Sequence, residues 1–283
     1  MHADTAILTG SRHTAAATPC QDYAVAGTIP NGLTWGIVAD GCSTGKDTDL
    51  GARAWALAAR EVLKIFQDFD ATADELRHLI METAAPMLSL LDNADGFATL
   101  GVLQAQGNRV RATMFGDGVL IGRHSDGGIT FINLTYTENA PFYLNYLRKP
   151  EGAEAWRATY GSQLLRVVTQ RLDASGALVD LKVTEEPCEN AWVWQANIDA
   201  DDLEMVMLAT DGATDCGNGL LATIAQFAAV KNPAGEFIKR RVARLARDWQ
   251  KSGHMPADDL AVAAIWLSDT PPAPTSTTEA NNG

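Results

Sequence analysis

Apolar positions in this chain come mostly in short β-prone runs that stop at turn residues. Residues 34–40 (Thr-Trp-Gly-Ile-Val-Ala-Asp) are almost continuously apolar and end at Asp40-Gly41, the pattern of a buried strand. Residues 97–104 and 109–115 flank Gly107-Asn108, a two-residue hairpin signal. Residues 119–123 and 129–134 flank a turn containing Asp126-Gly127, residues 204–210 stop at Asp211-Gly212, and residues 260–267 complete the set. Strands joined by such tight turns run antiparallel.

Helical spacing replaces this pattern in three places. Ala52, Trp55, Ala56, Ala59, Val62, Leu63 and Phe66 recur at intervals of three and four, with Asp47, Thr48 or Asp49 available as N-cap. A second helix is predicted over residues 73–91, with a kink at Pro86, and a third from the stripe Ile238, Val242, Leu245 and Trp249. Central hairpins with helices outside them predict an α+β fold of antiparallel layers. Residues 136–200 are less legible, and Phe142, Tyr143, Tyr146, Trp156, Tyr160, Trp192 and Trp194 read either as core or as a wall facing a substrate. No internal repeat is visible. Residues 271–283, rich in Pro, Thr, Asn and Ala, read as a disordered tail behind a single domain spanning residues 1–270.

Composition narrows the function. Of the 283 residues, 46% are hydrophobic, enough for a sizeable core. The net charge of −13 repels nucleic acid and anionic membranes, so neither is an expected partner, while divalent cations are drawn to such a surface. Residues 1–10 show no export signal and no apolar run is long enough to span a bilayer. Cys20, Cys42, Cys188 and Cys216 form no C-x-x-C pair, which weighs against structural zinc and points to a reducing, cytoplasmic setting.

The candidate chemistry lies in acidic residues at strand ends. Asp40-Gly41 and Asp211-Gly212 each close an apolar run, and Asp258-Asp259 opens another. A strand end holds a carboxylate in place yet leaves it open to solvent, and the following glycine lets a carbonyl approach a cation. Three such ends can converge on a hard, oxygen-ligated metal site. One Asp-Gly alone is ordinarily a turn, as at Asp126-Gly127, so the inference rests on their joint order.

That order, Cys20-Gln21-Asp22, Ala39-Asp40-Gly41, Phe115-Gly116-Asp117-Gly118, Ala209-Thr210-Asp211-Gly212 and Asp258-Asp259-Leu260, resembles the metal-dependent protein serine/threonine phosphatases of the 2C type, in a divergent bacterial signalling branch. The resemblance implies a four-layer α-β-β-α sandwich with two central antiparallel sheets. It implies that Asp40 bridges two Mn²⁺ or Mg²⁺ ions with help from the Gly41 carbonyl. Asp211 and Asp258 would hold the other ion, the Asp22 block would belong to the metal site, and Asp117 and Asp215 would match a weaker third position. The implied reaction is direct attack on phosphorus by a metal-bridging hydroxide, with a phosphorylated protein as substrate and a cognate Ser/Thr kinase as partner. No phospho-enzyme is needed, and Ser43 lies in no Gly-x-Ser-x-Gly elbow.

Three positions depart from the family pattern. Gln21 stands where an acidic residue often precedes the first Asp, Ala17 where relatives carry a phosphate-binding arginine, and Cys42 where some carry a histidine. Arg12 or His13, from the same strand region, is the candidate substitute for phosphate contact, with a solvated role as the alternative. Cys20, Cys42 and Cys216 flank three of the blocks and are either packing residues or sites of inhibitory oxidation. Two other functions fit parts of the pattern: a catalytically silent phosphatase fold that binds a phosphoprotein, and a calcium-stabilised domain, which lacks the EF-hand loop.

Overall fold

The computed structural model describes residues 1–188, 193–216 and 219–267. Trp192 and the expected tail at 271–283 lie outside the described residues. The strands are β1 (His2–Leu8), β2 (Asp22–Thr28), β3 (Thr34–Gly41), β4 (Ala98–Gln106), β5 (Arg109–Phe115), β6 (Gly118–His124), β7 (Ile129–Tyr136), β8 (Leu164–Leu172), β9 (Leu178–Pro187), β10 (Trp194–Asp199), β11 (Leu203–Ala209) and β12 (Leu260–Trp266). The helices are α1 (Ser11–Ala16), α2 (Thr48–Phe66), α3 (Ala73–Leu88), α4 (Pro150–Tyr160), α5 (Leu220–Ala228) and α6 (Phe237–Ser252). One sheet has the order β1-β12-β11-β6-β7-β8-β9 and the other β10-β5-β4-β3-β2. The paired neighbours run antiparallel, as the tight turns predict.

Two-residue alternation decides how the layers stack. In β3, Trp35, Ile37 and Ala39 face helices α2 and α3, whereas Val38 faces the opposite sheet. In β12, Leu260, Val262, Ala264 and Trp266 face α5 and α6, whereas Ala261, Ala263 and Ile265 meet the five-stranded sheet. The result is the four-layer α-β-β-α sandwich. Small residues let the sheets approach closely: a Cβ at Gly36 would stand 2.9 Å from the Ala263 Cβ across the interface. Alanines do the same for α2, where Ala52, Ala56 and Ala59 lie fully buried beside Trp55.

Several details correct the sequence reading. Strands β1 and β2 were not foreseen. Arg12 and His13, expected on a strand, lie on the short helix α1. Helix α3 stops at Leu88 rather than 91, with Pro86 in its last turn, and opens with a capping box between Thr72 and Glu75. The stretch 136–200 resolves into α4, β8, β9 and β10. Of its described aromatics, Phe142 and Trp156 are buried in a cluster with Tyr136, Leu165 and Met114, so they serve as core.

Candidate active site

Both sheets send acidic residues to one end of the sandwich. Asp22 and Asp40 are direct register partners on β2 and β3, and each carboxyl lies in the other's electrostatic environment. Asp211 follows β11 and Asp258 precedes β12, adjacent strands of the other sheet. Asp117 sits in the turn where the chain leaves β5 in one sheet and enters β6 in the other. Gly116 and Gly118 on either side adopt φ of 110° and 143°, conformations closed to most side chains, and a Cβ at Gly118 would also come within 3.0 Å of the Ala209 carbonyl oxygen.

Polar backbone contacts join the two halves. The Thr210 hydroxyl donates to Asp22 Oδ2 at 2.6 Å and accepts from the Ala261 N–H at 2.9 Å. Thr210 is fully buried, so it ties β11 and β12 to the Asp22–Asp40 pair. Asp215, exposed, accepts from the N–H groups of Ala257 and Asp258 at 3.1 and 3.2 Å, which fixes the loop that carries Asp258.

The electrostatics of this cluster are one-sided. Burial, opposed only in part by the Thr210 hydroxyl, pushes Asp22 up to about 8. Burial and then the charges of Asp22, Asp211 and Asp117 hold Asp40 well above the ordinary carboxylate range. Burial and Asp211 raise Asp117 to about 7, and burial, Asp258 and Asp215 raise Asp211 to about 6. Carboxylates figure in one another's environment and no cationic side chain is among the main influences on these four. A divalent cation would supply the missing countercharge, and an all-oxygen donor set suits Mg²⁺ or Mn²⁺. Among the described residues, no group of three or more His, Cys, Asp or Glu side chains stands ready-set to hold an ion.

Asp259, beside Asp258, has a different task. It is buried, accepts the Gly10 N–H at 2.7 Å and the Gln21 N–H at 2.6 Å, and meets His13 Nδ1 at 2.7 Å. This carboxylate pins the start of α1 and the approach to β2 against β12. His13 is therefore engaged with Asp259, while Arg12 is exposed on the same short helix. Gln21 is buried, with its N–H on Asp259 and its carbonyl accepting from Gly41 N at 3.1 Å.

Beyond Gly41, the loop through Cys42 to Asp47 is held by Asp95, whose Oδ1 accepts from the N–H groups of Lys46 and Asp47 at 2.8 and 2.9 Å. The Tyr143 phenol lies beside Cys42 and is pushed strongly upward by burial first and then by Cys42, Asp117 and Asp40. That places an aromatic wall of Tyr143, Phe97 and Tyr146 beside the carboxylates, with Tyr143 and Phe97 ring centroids 5.8 Å apart. Cys20 and Cys216 are each driven to about 12, by burial first and then by neighbouring aspartates. Such thiols carry almost no thiolate near neutral pH, which favours packing over oxidation for these two.

Sequence reasoning named Asp22, Asp40, Gly41, Asp117, Asp211, Asp215 and Asp258, and all belong to one end of the sandwich. It missed Thr210, although Thr210 immediately precedes Asp211. It also missed Asp259 as a latch, and it left Tyr143 open between core and a substrate-facing wall, since nothing in the local pattern separates it from the neighbouring aromatics.

Comparison with known proteins agrees with this geometry. The protein phosphatase 2C family model matches residues 9–248. The chain belongs to that family. No curated protein matches it significantly. A solved bacterial serine phosphatase superposes with a TM-score of 0.52 at 11% identity, covering 95% of this chain and 98% of that one. PppA, a key regulatory component in Pseudomonas aeruginosa, gives 0.52 at 16% identity, covering 94% and 97%. A C. elegans sex-determining protein gives 0.51 at 15%, covering 95% of this chain and 65% of that one. At these identities the superpositions establish the fold.

Proposed function

We propose that this chain is a Mn²⁺- or Mg²⁺-dependent phosphomonoesterase acting on phosphoserine or phosphothreonine in proteins, within the cytoplasm and opposite a cognate kinase. The observation that carries the reading is the convergence of Asp22, Asp40, Asp117 and Asp211 at a sheet-to-sheet seam, with no cationic side chain among their main influences. Asp40 with the Gly41 carbonyl, Asp211 and Asp258 would hold two ions, and Asp117 and Asp215 would serve a third. When bound, the ions supply an acidified water and screen the phosphate's charge.

The chain's own residues do the positioning. Asp22, held by Thr210, orients Asp40 from the neighbouring strand. Asp215 steadies the Asp258 loop through two backbone N–H groups. Arg12, exposed on α1, is the side chain free to approach a phosphate, while His13 acts through Asp259. Tyr143 and its aromatic neighbours close one side of the site against water.

Purified protein should hydrolyse p-nitrophenyl phosphate with Mn²⁺, lose that activity in EDTA, and lose it on Asp211→Asn with the circular dichroism spectrum unchanged. One observation favours a catalytically silent domain instead: His13, a candidate phosphate contact, is turned to Asp259. That second reading requires Mn²⁺ and a phosphopeptide to bind without turnover of any phosphoester. Turnover by the wild type excludes it.

A further inference from the structure

Strand β9 is the outer strand of the seven-stranded sheet, and among the described residues no strand meets its far side. Nearly every residue on it is exposed. Leu178, Val179, Leu181 and Val183 are between 43% and 59% accessible, and they make up four of the nine exposed large hydrophobics among the described residues. An edge of this kind is a template for another strand. The register with β8 shifts at Val179, and Glu185, Glu186 and Pro187 close the other end. From Val179 to Val183 the strand carries no proline and one charge of each sign.

That stretch, Val179-Asp180-Leu181-Lys182-Val183, reads the same in both directions apart from a reversal of charge. Placed antiparallel to itself about Leu181, it sets Leu181 against its own copy, Val179 against Val183, and Asp180 against Lys182, twice over. Opposite residues share a sheet face, so the apolar side chains form one strip and the charges another. Other registers fail. A centre at Lys182 opposes two lysines, a centre at Asp180 opposes two aspartates, and a slip of one residue sets Leu181 against Lys182. Neither Asp180 nor Lys182 has an ion-pair partner among the described residues; Arg171, the register partner of Asp180 on β8, is paired with Asp126 at 3.1 Å.

We infer that β9 is a self-recognition edge through which two copies of this chain pair antiparallel about Leu181, joining their seven-stranded sheets. The contact is a single short strand pair, so association should be weak and concentration-dependent. It is independent of the metal site, which lies at the Asp40 end of the sandwich.

Sedimentation equilibrium of the full chain between about 5 and 500 µM tests this. Wild type should pass from monomer to dimer. Asp180→Lys and Lys182→Asp should each raise the dissociation constant about tenfold or more, because like charges then oppose. An equimolar mixture of the two variants should regain dimer mass, since each supplies two charges opposite to the other's. That recovery also shows that both variants are folded. A wild type that stays monomeric throughout overturns the proposal and leaves the edge to a strand from another protein. A dimer indifferent to both substitutions, or a mixture that stays monomeric, overturns it as well.

Discussion

The crowding of carboxylates has a consequence for stability that can be worked through from the structure. In the folded, metal-free chain Asp22 keeps its proton up to about 8, Asp117 to about 7 and Asp211 to about 6, against 3.8 for an unperturbed aspartate. Between those limits the native state binds more protons than the unfolded chain, so stability must fall as pH rises. Each excess proton is worth about 1.4 kcal/mol per pH unit. Counting only one net proton between pH 5 and 7 gives a loss of about 3 kcal/mol, a large share of the roughly 5–15 kcal/mol of a typical fold. The decline should slow above about pH 8, where Asp22, Asp117 and Asp211 have ionised. Urea unfolding in EDTA, followed by fluorescence of the seven tryptophans, measures it directly. Mn²⁺ competes with protons for the same oxygens, so its stabilisation should grow with pH and reach about 3 kcal/mol at 100-fold excess over its dissociation constant. Asp40→Asn removes a like charge; it should flatten the EDTA curve and abolish the Mn²⁺ effect. An EDTA midpoint that is level or rising from pH 5 to 8 would refute the reasoning.

Other outcomes follow from single contacts. Asp259→Ala strips three hydrogen bonds from Gly10, His13 and Gln21 and should cost about 3 kcal/mol in denaturant unfolding, with Asp259→Asn losing roughly half as much. Gly51→Ala would set a Cβ 1.9 Å from the Asp95 carbonyl oxygen. The clash should outweigh the roughly 1 kcal/mol helix-propensity gain, for a net loss of about 2 kcal/mol by thermal melting and a fall in phosphatase activity through the loop that Asp95 holds. Cys20 and Cys216, driven to about 12, should react with iodoacetamide at pH 8 far more slowly than a free thiol, as mass spectrometry of the labelled peptides would show.

Much of the sandwich was legible because its central strands are buried on both faces and end at Asp-Gly. Those two properties marked β3 and β11 and, with them, Asp40 and Asp211. Strand β1 escaped because only Ala6 is buried along it, so its apolar pattern carries little signal. Strand β9 escaped for the opposite reason: its apolar residues are exposed, and periodicity reports burial rather than backbone shape. The helix carrying Arg12 and His13 buries no residue; its placement comes from backbone bonds between Ser11 and Arg12 and the carbonyls of Pro256 and Ala257, which no local pattern encodes. Asp258 and Asp259 are indistinguishable in one dimension. Only the position of α1 and β2 decides that the second is sealed inside while the first remains half-open.

The turn Gly116-Asp117-Gly118 carries the chain from one sheet into the other. With Asp22 and Asp40 riding on one slab and Asp211 and Asp258 on the other, a bound ion would act as a rivet through both. Slight parting of the slabs under mild denaturant would then pull the rivet out first, so catalysis would fade while each slab still kept its own secondary structure.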